Sequence, residues 1–84
     1  MEKTKKLRKP SLSLKAILAI KIKTFRQREG LSQEGFAELC NLHRTYIGSV
    51  ERGERNVTLS TLEVFASVLG ISVPRLLTEM EPET

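Results

Sequence analysis

Eighty-four residues, 39% of them hydrophobic and with a net charge of +4, leave room for one domain and one core, since a second core would have nothing left to build it. A single cysteine, Cys40, excludes an internal disulfide, and one histidine, His43, is too few beside it for a structural zinc site. A domain this small therefore depends on well-packed helices, on a partner subunit, or on both.

The charge is unevenly placed. Residues 1–29 hold ten Lys or Arg against two Glu, and the remainder holds four Arg against eight Glu. Residues 1–12 are Lys-rich, with Pro10 near their end and almost nothing apolar to bury, so they are expected to form a flexible basic arm. Such an arm either lies along phosphates or acts as a solubilising tail, and the sequence leaves both readings open. No stretch reaches the roughly 18 apolar residues of a membrane span, the run from Ala16 to Ile22 being broken by Lys21. No secretory signal precedes it, so a cytoplasmic location is expected, with no membrane contact.

In chain order, Leu14, Leu18, Ile22 and Phe25 recur at helical spacing after Ser13, and Gly30 supplies a stop. Ser32 is a good N-cap for a second helix of about nine residues, whose apolar face is Phe36, Ala37, Leu39 and Cys40. Asn41 tolerates the left-handed backbone that a sharp turn needs. A third helix is expected from about His43 to Arg52, ended by Gly53. Ser60 with Glu63 reads as a capping box opening a fourth helix, which carries Leu62, Phe65, Ala66 and Leu69 and stops at Gly70. Ser72 and Pro74 open a last helix with Val73, Leu76, Leu77 and Met80. The pattern predicts an all-α domain over residues 13–80, five helices and no strand, with residues 81–84 as a frayed tail.

Residues 33–53 carry the functional signal: two short helices, a tight turn, and apolar and polar positions divided by face. Ala37 is small enough for the helix axes to approach, and Ile47 and Val50 point into the core. On the opposite side of the third helix Thr45, Ser49 and Arg52 fall at i, i+4 and i+7, joined by Arg44 and Gly48. That stripe suits base edges in a major groove, Arg44 and Arg52 being the strongest candidates because Arg pairs bidentately with guanine. A solvated helix face is the plain alternative, for Thr45 and Ser49 above all. Ser32 and the first amides of the second helix make an anion site, to which Gln33 adds a side-chain donor. His43, at the start of the third helix, stands near the same backbone.

Taken together, Leu31-Ser-Gln-Glu, Ala37, Tyr46-Ile-Gly-Ser-Val-Glu-Arg-Gly and Leu62-Glu resemble the Cro/CI, or xenobiotic-response-element, helix-turn-helix family over roughly residues 22–77. Arg44-Thr-Tyr with Glu51-Arg-Gly-Glu-Arg-Asn is similar to the controller proteins of restriction-modification systems. The resemblance implies a compact five-helix, lambda-repressor-like domain that binds specific double-stranded DNA as a homodimer on a pseudo-palindromic operator. Autoregulation of a restriction-modification operon would follow, with RNA polymerase as a further partner. It also implies that Tyr46, Arg55 and Asn56 engage DNA from the flank and that Arg26 and Glu51 form a buried structural pair. A dimer surface is expected from Val64, Val68, Ile71, Val73 and Leu76, which exceed what a small core hides. The sequence departs from the family at Asn41, where Gly is usual, and at Gly48-Ser49, where the better-known controllers read Ser-Gly.

Cys40 and His43 lie three apart, yet no further ligand or activating base is near them in sequence. Neither a phosphate loop nor a pair of catalytic carboxylates is present. The chain is thus expected to be no enzyme and to take no cofactor. A phage-type repressor, or an antitoxin with a helix-turn-helix domain, is the alternative regulator, and a non-specific DNA compactor a third reading.

Overall fold

The computed structural model describes residues 13–79. The basic arm over 1–12, Met80 and the tail over 81–84 lie outside the described residues. Five helices follow in order: α1 (Leu14–Arg28), α2 (Gln33–Cys40), α3 (Arg44–Glu51), α4 (Leu59–Leu69) and α5 (Val73–Leu76). No strand occurs among the described residues, and no helix there is long and apolar enough to cross a membrane.

Each helix opens on a side chain that accepts from an amide of its first turn. Ser13 Oγ accepts from Ala16 N at 3.1 Å, and Ser32 Oγ from Gly35 N at 2.9 Å and Ser72 Oγ from Arg75 N at 3.2 Å, the last two as their positions in the sequence predict. The start of α4 differs from expectation. Thr58, in an extended conformation, is the cap, and its Oγ1 accepts from Thr61 N at 3.2 Å. Thr58, Ser60 and Thr61 are all competent caps. Thr58 Oγ1 donates to Thr61 Oγ1 at 3.1 Å and lies 3.2 Å from Ser60 Oγ, so Ser60 stands inside the first turn, and Glu63 is exposed. The last helix is also shorter than expected, a single turn over Val73–Leu76 with Leu77 as its C-cap.

Between α2 and α3 Asn41 adopts φ 58° and ψ 43°. This lets Leu42 N donate to Ala37 O at 2.9 Å and Asn41 N to Glu38 O at 3.1 Å, satisfying carbonyls that the helix end would otherwise orphan. Asn41→Ala is expected to lose about 1 kcal/mol, because a Cβ without a polar side chain disfavours this conformation. Asn41→Gly should hold or gain stability, and urea unfolding of the two variants checks the difference.

The core gathers one face from every helix: Leu18 and Ile22 of α1, Phe36, Ala37 and Cys40 of α2, Ile47 and Val50 of α3, Leu62, Phe65 and Ala66 of α4, and Leu76 of α5. Helices α2 and α3 pack most closely on each other, α3 also rests on α1, and α4 bridges α2 and α5. Phe36 lies at the centre, with ring centroids 5.9 Å from Phe25 and 6.0 Å from Phe65. Cys40 is buried, and burial pushes its thiol up to about 11, so it stays protonated and unreactive at neutral pH.

Three apolar expectations fail. Leu76 has no exposed surface; it is a core residue with nothing to offer a partner chain. Leu39 and Leu14, assigned by spacing to inward faces, are each 58% exposed. Val64 is exposed on α4, whereas Val68, Ile71 and Val73 are half-buried against the core.

Candidate nucleic-acid interface

The α2–α3 unit presents one polar face, and the way each side chain is held defines what that face can do. His43 caps α3 with its ring, Nδ1 accepting from Thr45 N at 3.1 Å. This fixes the residue at the helix entry and places Arg44 and Thr45, both exposed, in the first turn of α3. Ser32 occupies the equivalent position on α2, so two helix N-termini, each a locus of unpaired amides and partial positive charge, belong to the same pair of helices.

Behind that face lies a charged cluster. Arg26 Nε donates to Glu51 Oε2 at 2.7 Å and Arg26 Nη2 to Glu51 Oε1 at 3.0 Å, a bidentate pairing. Arg26 Nη1 adds a bond to Leu31 O at 3.0 Å, and Gln33 Nε2 donates to Glu51 Oε1 at 3.1 Å. The side chains of Arg26 and Glu51 are only 15% and 5% exposed. Burial pushes the Glu51 carboxyl up, but hydrogen bonds from Arg26 and Gln33, with the charges of Arg26 and Lys23, outweigh it and hold the group below its ordinary value. The bond to Glu51 correspondingly raises Arg26 against its own desolvation. One group thus ties α1, the Leu31 loop, the start of α2 and the end of α3 together. Gln33 spends one amide hydrogen here and keeps the other.

Arg52 and Arg55 are held differently. Arg52 Nε meets Glu54 Oε1 at 3.1 Å, with both side chains about 60% exposed, a pairing that contributes little and is readily exchanged. Its Nη1 lies 3.3 Å from where a Cβ on Gly48 would stand, so the guanidinium rests across that glycine. Arg55 Nε donates to Ser49 Oγ at 3.1 Å, and its Cζ sits 4.6 Å from the centroid of the Tyr46 ring.

Ser49 therefore does not stand free on the stripe where its spacing puts it. It is 8% exposed, and its Oγ donates to Tyr46 O at 2.7 Å while accepting from Arg55. A hydroxyl has one hydrogen, and this one is already committed within the helix. Arg44, Thr45 and Arg52 are exposed as expected; Tyr46 is half-buried under Arg55, and Asn56 is exposed in the loop after α3.

Residues 22–76 match the helix-turn-helix family. The chain belongs to this family. It is 58% identical to control protein C.SmaI of Serratia marcescens over 67 residues, 80% of either chain. Among solved structures, a hypothetical transcription factor from Neisseria superposes with a TM-score of 0.74 at 39% identity, over 88% of this chain and 91% of that one. The restriction-modification controller protein C.Esp1396I, solved as a tetramer with its natural 35 base-pair operator, superposes with a TM-score of 0.66 at 35% identity, over 79% and 87% of the two chains.

Two contacts of this helix-turn-helix protein lie beyond the site residues that sequence pattern picks out. Glu54 as the partner of Arg52 has a local signal, opposite charges two apart across Gly53. The Arg55 link to Ser49 and Tyr46 has none, because it depends on the loop after α3 folding back over the helix. Lys21, outside the motif, donates from Nζ to Arg75 O at 2.7 Å and so pins α1 to α5; burial and the charge of Arg75 lower its basicity.

Proposed function

We propose that this chain is a transcriptional regulator of the controller type, which binds a specific double-stranded operator as a homodimer and acts on a restriction-modification operon that includes its own gene. The observation that carries the reading is the exposed face of the α2–α3 pair. Arg44, Thr45 and Arg52 stand outward on α3, Arg55 flanks them, and two capped helix N-termini lie alongside. Arginine in this setting reads guanine by paired donors, while helix N-termini and Gln33 fix the register through phosphates. High identity to control protein C.SmaI over 80% of the chain supports the controller assignment.

A dimer places two α3 helices about 34 Å apart, one turn of duplex, and so calls for a pseudo-palindrome. Val64, with Val68, Ile71 and Val73 at its side, is the surface we assign to that contact. Arg44, Thr45 and Arg52 are assigned to bases; Ser32, Gln33, His43, Tyr46, Arg55 and Asn56 to the backbone and flank.

Selection of the purified protein against random duplex DNA at about 0.15 M salt tests the reading. A two-fold symmetric motif that recurs upstream of the gene is the expected result. Arg44→Ala should then cost about 1–3 kcal/mol at one column of the motif, whereas Lys→Ala changes in the basic arm should weaken all sequences alike. Recovery of no motif by a folded, dimeric protein rules the proposal out.

A further inference from the structure

We infer that the dipeptide Gly48-Ser49 sets the aim of the two arginines that flank α3, Gly48 by leaving a bed for Arg52 and Ser49 by clamping Arg55. The inference rests on the DNA-binding reading above and goes beyond it, because it assigns specificity to two residues that do not themselves reach a base.

Ser49 is the anchor of a three-part clamp. Its hydroxyl hydrogen is directed to Tyr46 O at 2.7 Å, which turns an oxygen lone pair toward Arg55 Nε at 3.1 Å. The Tyr46 ring supports the guanidinium plane from one side, 4.6 Å from Cζ. Of the five donors of a guanidinium, Nε is spent, so Arg55 presents its Nη1–Nη2 end. A planar fork held this way meets a paired acceptor on a base edge flanking the α3 contacts, such as the N7 and O6 of guanine, with less rotamer freedom left to lose. An unclamped arginine would choose between its side-on and end-on forks. The clamp removes that choice, and with it the tolerance for a second partner geometry.

Gly48 acts on the other arginine by absence. A Cβ there would stand 3.3 Å from Arg52 Nη1 and 3.5 Å from Gln33 Oε1. The first contact is tight, and Arg52, mostly exposed and held only to Glu54, is the side that gives way. A helical glycine ordinarily weakens its helix relative to alanine. Its presence in the middle of α3 is therefore explained by the room it leaves for the Arg52 guanidinium, not by stability.

The two halves separate in one experiment: the random-duplex selection repeated with Ser49→Ala, Ser49→Thr, Gly48→Ala, Arg52→Ala and Arg55→Ala, each melted first to establish folding. Ser49→Ala is expected to flatten the same motif columns as Arg55→Ala, about fivefold in discrimination, and to add nothing in the Arg55→Ala background. Ser49→Thr, which keeps the hydroxyl, should restore them. Gly48→Ala should melt no lower than the parent yet flatten the columns that Arg52→Ala flattens, a loss of specificity that loss of structure does not explain. Unchanged columns in Ser49→Ala and Gly48→Ala, or a uniform loss across all columns, overturn the inference while the parent motif stands. If the parent itself selects no motif, the inference falls with the DNA-binding reading.

Discussion

Glu51→Ala is expected to destabilise the fold by about 3–5 kcal/mol, because it strands the Arg26 guanidinium in a site where the pair's side chains are only 15% and 5% exposed. Arg26 donates to Glu51 twice and to Leu31 O once, so its removal or isolation loosens α1, α2 and α3 together. Against a total of about 5–15 kcal/mol for a folded domain, that is a large fraction for a chain of this size. Arg26→Ala should cost a similar amount by leaving the carboxylate alone. Replacing both by Met and Leu, which fills the volume without a charge, should recover most of the loss. Urea unfolding measures all three. A double replacement as unstable as either single one would show that the pair's worth lies in its own bonds rather than in the penalty for breaking it.

The same pair gives the fold an acid limit. Glu51 is held below its ordinary value in the folded chain, while in the unfolded chain it returns to about 4.3. The stability it supplies is therefore complete above that unfolded value and is lost as pH falls through the lower, folded one. Melting temperature should drop more steeply below about pH 4.3 in the parent than in Glu51→Gln, which starts lower at neutral pH and has no such proton to take up. Parallel acid profiles for the two proteins would show that other carboxylates set the limit.

The fold was legible in sequence wherever a local rule decided the outcome. Ser32 and Ser72 cap the helices their positions predict, Gly30 and Gly70 stop α1 and α4, and Asn41 takes the left-handed turn. Local rules failed where several candidates were equally good. At α4 the cap is Thr58, and Ser60 lies inside the first turn. Leu76 and Val64 look alike as apolar residues near the C-terminus, yet the α4–α5 corner turns one fully inward and leaves the other in solvent. The candidate site divides the same way. Helical spacing placed Arg44, Thr45 and Arg52 outward and correctly so, but it also placed Ser49 there, since a helical wheel carries no knowledge of Arg55 returning from the loop six residues on. Arg26 and Glu51, 25 residues apart, have no local signature; the resemblance to a known family supplied that pair.

Phe36→Ala is expected to cost about 3–5 kcal/mol as well, by a route that leaves the reading face untouched. Phe36 is fully buried between Phe25, in an edge contact with an interplanar angle of 62°, and Phe65, in a stacked one at 25°. It is the ring that joins α2 to both α1 and α4, and a methyl group in its place leaves a cavity that the rigid helix ends close only in part. Phe36→Leu, which keeps more of the volume, should lose less. The truncated protein should show reduced helicity alone but regain it with operator DNA, since a ligand at 1,000 times its Kd adds about 4 kcal/mol to the folded state. Its selected motif should be the parent's, because none of the residues proposed above to meet the duplex has changed; circular dichroism with and without DNA, followed by selection, reads both effects. A motif altered by Phe36→Ala would mean that core packing also sets the aim of α3, and the division between support and readout drawn from Ser49, Gly48 and the arginines would then need to extend inward to the aromatic centre.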